Sequence, residues 1–467
     1  MRHPFFCLLA AGVVLAGCAS YRPAPVDPAA TRAQWQARRL DDPALAVRLR
    51  PWLPARDHGR WPPERYGRAE LLLAALALNP DLAEARAHLA EASAAVRTAG
   101  ARPNPTVSLA LERYTQAQAD GAPWLWGIST DLLLDTALRR RLRVQLADQA
   151  VRGARLDYAE KVWAVRAAVR DALAERLLAQ RRLALADEGV RLAAALEQAA
   201  RQRATLGEDS PQAELQAAQT LAQARSAQAG AAQQAAGADA RLARAIGVPG
   251  DALQGLQLDW AGFERPTAPD RAQVAALADH ALLARADLER ALVDYASRET
   301  ELHQQVRAQY PQLSLGPGYT YDHGIRKLTF NASASVPLFN RNQGPIAEAR
   351  ARRDAAAAHV RTVQADIASA IEAARRRLAA ALPALAAARA GEQAAARQQA
   401  QAERAFALGA VDRPALLAAR LAALAARQTA LDALGLAWQA VAALEDALRA
   451  PLDPAEAALW PGPGDTP

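Results

Sequence analysis

The sequence predicts a mainly helical protein with a transmembrane β-barrel portion, built from a duplicated unit of helix, strand, strand, very long helix and shorter helix. Three observations carry this. Landmarks recur at nearly one offset, two pairs of segments alternate apolar with polar residues, and two stretches of more than sixty residues keep a helical period.

The first residues set the compartment. Arg2 and His3 precede an apolar stretch from Phe5 to Ala16, too short to span a membrane as a helix, which ends in Leu15-Ala16-Gly17-Cys18. Residues 1–17 read as a signal peptide, and the tetrad resembles a bacterial lipobox. That resemblance implies cleavage before Cys18, palmitate-type acylation of Cys18, and, with Ala19 rather than Asp following, sorting to the outer membrane. The other cysteine, Cys7, lies in the removed segment, so the mature chain forms no internal disulfide and its fold rests on burial. Residues 18–68 form an irregular, Pro- and Arg-rich arm with a short helix expected around Thr31 to Leu40.

The duplication is visible next. Asn79-Pro80-Asp81-Leu82 recurs as Arg285-Ala286-Asp287-Leu288, which places Asp81 and Asp287 206 residues apart. Pro105 and Pro311, each opening an extended segment, share that offset, and Gly207 and Gly409 in two Leu-Gly turns stand 202 apart. The repeats are assigned to 69–246 and 271–450. Residues 247–270, rich in Gly and Pro and carrying Trp260 and Phe263, read as a linker, and 451–467 as a flexible tail.

Strands are expected at about 105–115, 124–134, 311–321 and 326–338. Val107, Leu109 and Leu111 alternate with Ser108, Ala110 and Glu112, and Leu328, Phe330 and Ala332 alternate with Lys327, Thr329 and Asn331. Each segment has one oily and one wet face and about the 9–11 residues that cross a tilted bilayer span. Pro317 costs a ladder hydrogen bond and predicts a bulge or an edge. Four strands do not close a barrel, and an open edge in lipid leaves backbone groups unsatisfied at several kcal/mol each. Other copies of the chain are needed.

Residues 139–206 contain no proline, and Val162, Val165, Val169, Leu173 and Leu177 step by three or four along one face. At 1.5 Å per residue this helix reaches roughly 100 Å. A second, 346–408, is expected to kink at Pro383, and 211–246 and 414–448 are the return helices. The helix before each strand pair is read as about half the length of the one after it. End to end with a return helix it would match the long one.

This signal, duplication and order make the mature chain similar to the TolC-like outer membrane factor family. The residues that carry the likeness are the Asn79–Leu82 opening, Arg102 to Val107 and Arg307 to Leu313, the Leu-Gly turns, and Ser335-Val336-Pro337-Leu338-Phe339-Asn340-Arg341-Asn342-Gln343-Gly344. The run from Pro337 to Gly344 looks most like members serving heavy-metal efflux pumps. The resemblance implies a lipid-anchored homotrimer with a twelve-stranded outer-membrane barrel continued by a periplasmic tunnel of twelve helices. It also implies docking of a periplasmic adaptor (membrane fusion) protein and an inner-membrane RND-type pump at the far end. In this chain the far end is the two turns: Gly207, Glu208, Asp209 and Ser210, and Gly409, Asp412 and Arg413. The glycines suit left-handed helix ends, and Ser210 and Asp412 suit helix caps. Family members often carry acidic residues just after the second turn, where this chain has Ala415 and Ala418. Asp412 or Glu208-Asp209 are the acids nearest that position.

Nothing points to an enzyme, a cofactor or a metal. His3, His58, His88, His280, His303, His323 and His359 are dispersed, and no phosphate-binding glycine loop is present. The net charge of +7 comes from arginines scattered along helix faces, with no compact basic patch for nucleic acid. Two other readings stay open on the sequence: a periplasm-spanning structural lipoprotein, and the outer-membrane channel of a type I protein secretion system.

Overall fold

The computed structural model describes residues 20–49, 61–115, 123–134, 137–259, 262–266 and 269–457. The signal segment with Cys7 and Cys18, together with His58, Trp260 and the tail beyond residue 457, lies outside the described residues. Residues 1–39 and 40–467 form separate units. In the first, helix α1 spans Pro28–Gln36 rather than Thr31 to Leu40, because Asp27 caps it through the Ala29 N–H at 2.9 Å and Pro28 takes the first helical position.

The second unit opens with α2 (Pro43–Leu49), whose Leu45 and Leu49 are buried. The helix before the first strand pair is broken into α3 (Arg68–Leu78) and α4 (Pro80–Gly100). Asn79 stands extended between them, as a residue before proline must, and caps α4 by accepting the Asp81 N–H at 2.9 Å. Strands β1 (Thr106–Arg113) and β2 (Trp124–Leu134) follow, then α5 (Ala137–Thr205) and α6 (Pro211–Ile246). The second repeat runs α7 (Arg271–Ala284), α8 (Ala286–Arg307), β3 (Leu313–Asp322), β4 (Ile325–Ala334), α9 (Gln343–Ala407) and α10 (Arg413–Leu448). The helices next to the strands, 21 and 22 residues, are about a third of the 69 and 65 residues of the long ones. The expected half is therefore corrected to a third, because the break at Asn79 and at Arg285 separates α3 from α4 and α7 from α8.

The four strands form one antiparallel sheet in the order β1-β2-β3-β4, so β1 and β4 are its open edges. β3 is central and unbulged at Pro317, correcting the expected edge or bulge. The β2–β3 pairing keeps one register on both sides of the proline, and the Thr130 hydroxyl donates to the Pro317 carbonyl at 3.3 Å across the gap. β4 ends at Ala334, short of residue 338, because Pro337 lacks an N–H and the Leu338 N–H turns back to Val336 O at 2.9 Å. His323 and Gly324, both at positive φ, close the β3–β4 hairpin as a two-residue turn.

The helices keep the strand order. α4 packs on α5, α5 on α8 and α8 on α9; farther from the sheet, α6 takes the place of α4 beside α5, and α10 that of α8. α9 is continuous through Pro383, and Ala379, whose carbonyl loses its donor, is exposed to water. Two apolar clusters hold the helices where short and return helices meet. Leu71, Leu82, Leu177, Leu242 and Ile246 centre the first, and Leu288, Ile367, Ile371 and Leu444 the second. Each such side chain contributes about 1.5–3 kcal/mol on burial.

The linker is tied to this core. Tyr66 pairs with it through its N–H to Gln257 O (2.8 Å), and Phe263 stacks on Trp438 at 5.1 Å while its carbonyl accepts the indole N–H at 2.7 Å. Residues 451–457 are not a flexible tail. The short helix α11 (Pro454–Ala457) places Glu456, 2 % exposed, against Arg68 and Arg166.

Candidate functional site

The register sorts the strand residues onto two faces, because directly paired residues share a face. One carries Val107, Leu109 and Leu111 of β1, Trp126, Ile128 and Leu132 of β2, Leu315 and Tyr319 of β3, and Leu328 and Phe330 of β4. The other carries Ser108, Ser129, Thr320, Thr329, Asn331 and Ser333. The apolar face is open to its surroundings: Leu109 is 80 % and Phe330 82 % exposed. A sheet wet on one side and uncovered on its oily side does not stay bare in water; its apolar face is built to meet hydrocarbon or another apolar surface.

At the opposite pole are the two helix turns. Gly207 (φ 74°) and Gly409 (φ 72°) take the left-handed conformation, and the next N–H groups, of Glu208 and Ala410, reach back to Arg203 O (2.9 Å) and Ala405 O (2.8 Å). Both turns thus end their helices by the same glycine-dependent device. Ser210 and Asp412 then cap α6 and α10, accepting the N–H of Ala213 at 3.4 Å and of Ala415 at 2.9 Å.

Arg203 joins the two turns. Its Nε lies 2.8 Å from Asp209 and its Nη1 2.7 Å from Asp412, with Glu208 at 4.0 Å. The hydrogen bond and charge of Asp209, supported by Asp412, raise its pKa above the ordinary arginine value. Sequence reading named both aspartates and missed this arginine, although a basic residue in the last helical turn is a usual partner for the carbonyl end. Arg413 lines a separate cleft of about 570 Å³ with Arg191, Phe406 and Leu417, beside the Arg420–Glu403 pair. After the second turn, Leu416 and Leu417 are buried while Ala415 and Ala418 face outward, so that face offers no carboxylate.

A third feature, midway along α5, was hidden in the sequence. Arg166 and Arg170 of α5 and Arg68 of α3 surround Glu445 of α10, with Arg–Glu distances of 3.0, 3.1 and 3.2 Å, and Glu456 and Asp446 complete the charge balance. Glu445 is fully buried. Burial alone would raise its pKa, but Arg68, then Arg166, the Leu452 N–H and Arg170 outweigh it and bring it down to about 2. The sequence signal was faint: two arginines inside the apolar stripe of Val162, Val165, Val169 and Leu173. Among the described residues no cluster of His, Cys, Asp or Glu is placed to hold a metal ion, and no helix is long and apolar enough to cross a membrane.

The model of one protein family, described as outer membrane efflux protein, matches residues 71–248 and 277–448. No curated protein matches the chain significantly in sequence. Among solved structures, a membrane protein from Pseudomonas aeruginosa is similar with a TM-score of 0.68 at 19 % identity, over 82 % of this chain and 90 % of that one. The outer membrane protein VceC from Vibrio cholerae is similar with a TM-score of 0.66 at 19 % identity, over 82 % and 95 %. The CmeC outer membrane channel from Campylobacter jejuni is similar with a TM-score of 0.67 at 16 % identity, over 82 % and 85 %.

Proposed function

Because this chain belongs to the outer membrane efflux protein family, whose members are outer-membrane channels and not enzymes, we propose that it acts as the lipid-anchored exit duct of a tripartite efflux pump. Channels of this family are trimeric and work with an adaptor and an inner-membrane pump. One observation carries the reading for this chain: an open four-stranded sheet has one face that is apolar but for Thr130 within the band and Arg113 and Arg326 at its hairpin end, and two unpaired edges, β1 and β4. Pairing β4 of one copy with β1 of the next satisfies every edge, and three copies give a closed wall of twelve strands.

Energy for transport comes from the pump, and the wall passes what the pump delivers. The lipobox supports acylation of Cys18, which adds an outer-membrane anchor to the barrel. The two turns, with Gly207, Glu208, Asp209, Ser210, Gly409, Asp412 and Arg413, support a docking surface for the adaptor, since they are the ends of the helices opposite the sheet. The run from Pro337 to Gly344 supports an RND-type pump of the heavy-metal branch as partner.

The test is reconstitution. The purified acylated chain is expected to run as a detergent-soluble, heat-modifiable trimer and to give single-channel conductance in planar bilayers. A monomer without conductance overturns the proposal and favours an envelope tether. For the tip, cross-linkers at Glu208→Cys are expected to capture the co-transcribed adaptor, and capture from Leu109→Cys alone would move the docking site elsewhere.

A further inference from the structure

The charges of the sheet are sorted by face. Its strands carry six charged residues: Glu112, Asp131, Asp322 and Lys327 on the wet face, Arg113 and Arg326 on the oily face. The wet-face lysine is neutralised within the chain, Lys327 Nζ lying 2.5 Å from Asp322. The two arginines are not. Both are exposed, and among the described residues neither has a carboxylate partner; Arg113 only lies over the Trp124 ring at 5.4 Å.

Both arginines sit at the hairpin end of the sheet, away from the helices. Arg113 pairs with Trp124, and Arg326 pairs with Tyr321, which pairs with Trp126 in turn. Trp126 and Tyr321 stack at 6.0 Å, with Tyr319 5.5 Å from Trp126. This aromatic row bounds the apolar band as an interfacial girdle does, and an arginine at that height costs only about 0–1 kcal/mol in lipid. Avoiding cost does not explain why two unpaired guanidinium groups are there. Their placement on the edge strands does: Arg113 is on β1 and Arg326 on β4. Closing the ring brings Arg326 of one copy and Arg113 of the next to the same β4–β1 seam, on the same outward face. Two like charges flanking one seam, with no acid among the described residues of that face, form a site suited to an anion from outside the protein.

We propose that each seam binds the phosphate of a phosphorylated glycolipid of the outer leaflet, lipid A, through Arg326 of one copy and Arg113 of the next. The proposal rests on the trimeric barrel reading. A guanidinium fork suits a phosphate through paired N–H donors, and the Trp124, Trp126 and Tyr321 rings supply the amphipathic surface on which the sugar and the first acyl carbons rest. The hairpin end faces away from the periplasmic helices, toward the leaflet where this lipid resides. An inner-leaflet phospholipid would instead meet the row Leu134, Leu313 and Ala334, which carries no cation.

The experiment is native mass spectrometry of the full acylated trimer in detergent, titrated with bisphosphorylated lipid A, with dephosphorylated lipid A and with phosphatidylglycerol. Up to three bisphosphorylated lipid A molecules are expected per wild-type trimer, with at least tenfold weaker binding of the other two lipids. The double variant Arg113→Gln/Arg326→Gln is expected to lose at least tenfold in lipid A affinity, and Arg113→Lys/Arg326→Lys to recover part of it. Unchanged binding by the glutamine variant, or equal binding of phosphate-free lipid A or of phosphatidylglycerol, overturns the proposal. Trimer mass and single-channel conductance are read on the same samples. Their loss in the wild-type protein would sink the channel reading itself, whereas their retention in the variants isolates the lipid site.

Discussion

Asn79 and Arg285, chemically unlike and 206 residues apart, make the same contact: Asn79 Nδ2 donates to Ala245 O and Arg285 Nη1 to Ala447 O, each at 2.8 Å. Each stands at the break between two consecutive helices and reaches the last turn of its own repeat's return helix. The junction is a place where short, broken and return helices meet, so carbonyls that helix ends leave without donors would otherwise be buried unpaired. The two repeats answer one geometric demand with a neutral amide and with a cation.

The neutral version leaves less slack. Asn79 is 8 % exposed and also caps α4, so Asn79→Ala removes a cap and orphans the Ala245 carbonyl. A loss of about 1–3 kcal/mol is expected in denaturant unfolding of the solubilised protein. Arg285→Ala is expected to cost less, since that side chain caps nothing, although Asp287, whose pKa Arg285 lowers against the effect of burial, loses its main partner. Equal losses would mean that the cap contributes nothing.

Return helices end differently too. Gly247 ends α6 at φ 92°, and a Cβ there would stand 2.7 Å from Leu78 O, whereas Arg449 ends α10 at φ 51° with its guanidinium 2.9 Å from Glu160. Gly247→Ala meets both a backbone penalty and a clash with main chain, so a large drop in folded yield is predicted. Arg449→Gly relieves the left-handed cost of about 1 kcal/mol while deleting the ion pair, so a melting temperature near wild type is the expected outcome.

These contrasts show how much of the fold was legible. The strands could be read because Leu328, Phe330 and Thr329, Asn331 declare their faces locally, and the turns because Leu206-Gly207 and Leu408-Gly409 declare left-handed ends. The helix break at Arg285 could not, because no proline or glycine marks it; its donor role appears only once Ala447 is beside it. Arg166 and Arg170 looked like solvated charges for the same reason, their partners lying some 275 to 290 residues away in α10 and α11. At the tip both aspartates were identified, but the arginine that pairs them was not, since pairing between the two turns is a tertiary fact.

The buried Arg–Glu cluster makes stability depend on pH. Glu445 has a folded pKa near 2 against an ordinary 4.5, so the ionised carboxylate stabilises the fold fully above about 4.5, and that contribution disappears as pH falls toward 2. Arg68, Arg166 and Arg170 stay cationic throughout, so protonation leaves buried positive charge unbalanced. Thermal unfolding is expected to weaken steeply between pH 4.5 and 3 in the wild type and to show a shallower slope in Glu445→Gln, which should already be destabilised by about 3–5 kcal/mol at pH 7. Ending the chain at Asp453 removes Glu456 and should reproduce part of that loss.

At the far turns, Arg203→Ala frees Asp209 and Asp412 from their common partner while leaving both glycine-based helix ends intact. Because the three groups are largely solvated, little change in global unfolding is expected. Local opening should be faster, and hydrogen exchange at the amides of residues 207–213 and 409–415 is the measurement that reads it. Unaltered protection at both turns would show that capping by Ser210 and Asp412 suffices without the arginine.

Adjacent positions on β4 separate the two faces of the wall. Phe330 points to the oily side and Asn331 to the wet side, one residue apart and equally far along the strand pair. An arginine facing hydrocarbon near the middle of a bilayer costs about 2–4 kcal/mol, while one facing a water-filled lumen costs little. Phe330→Arg is therefore expected to reduce assembled trimer sharply in outer-membrane fractions. Asn331→Arg should assemble normally and, by adding one positive charge per copy to the bore, shift single-channel ion selectivity toward anions. If the two variants exchanged these phenotypes, the sheet would be inside out, and the oily face would line an interface instead of meeting lipid.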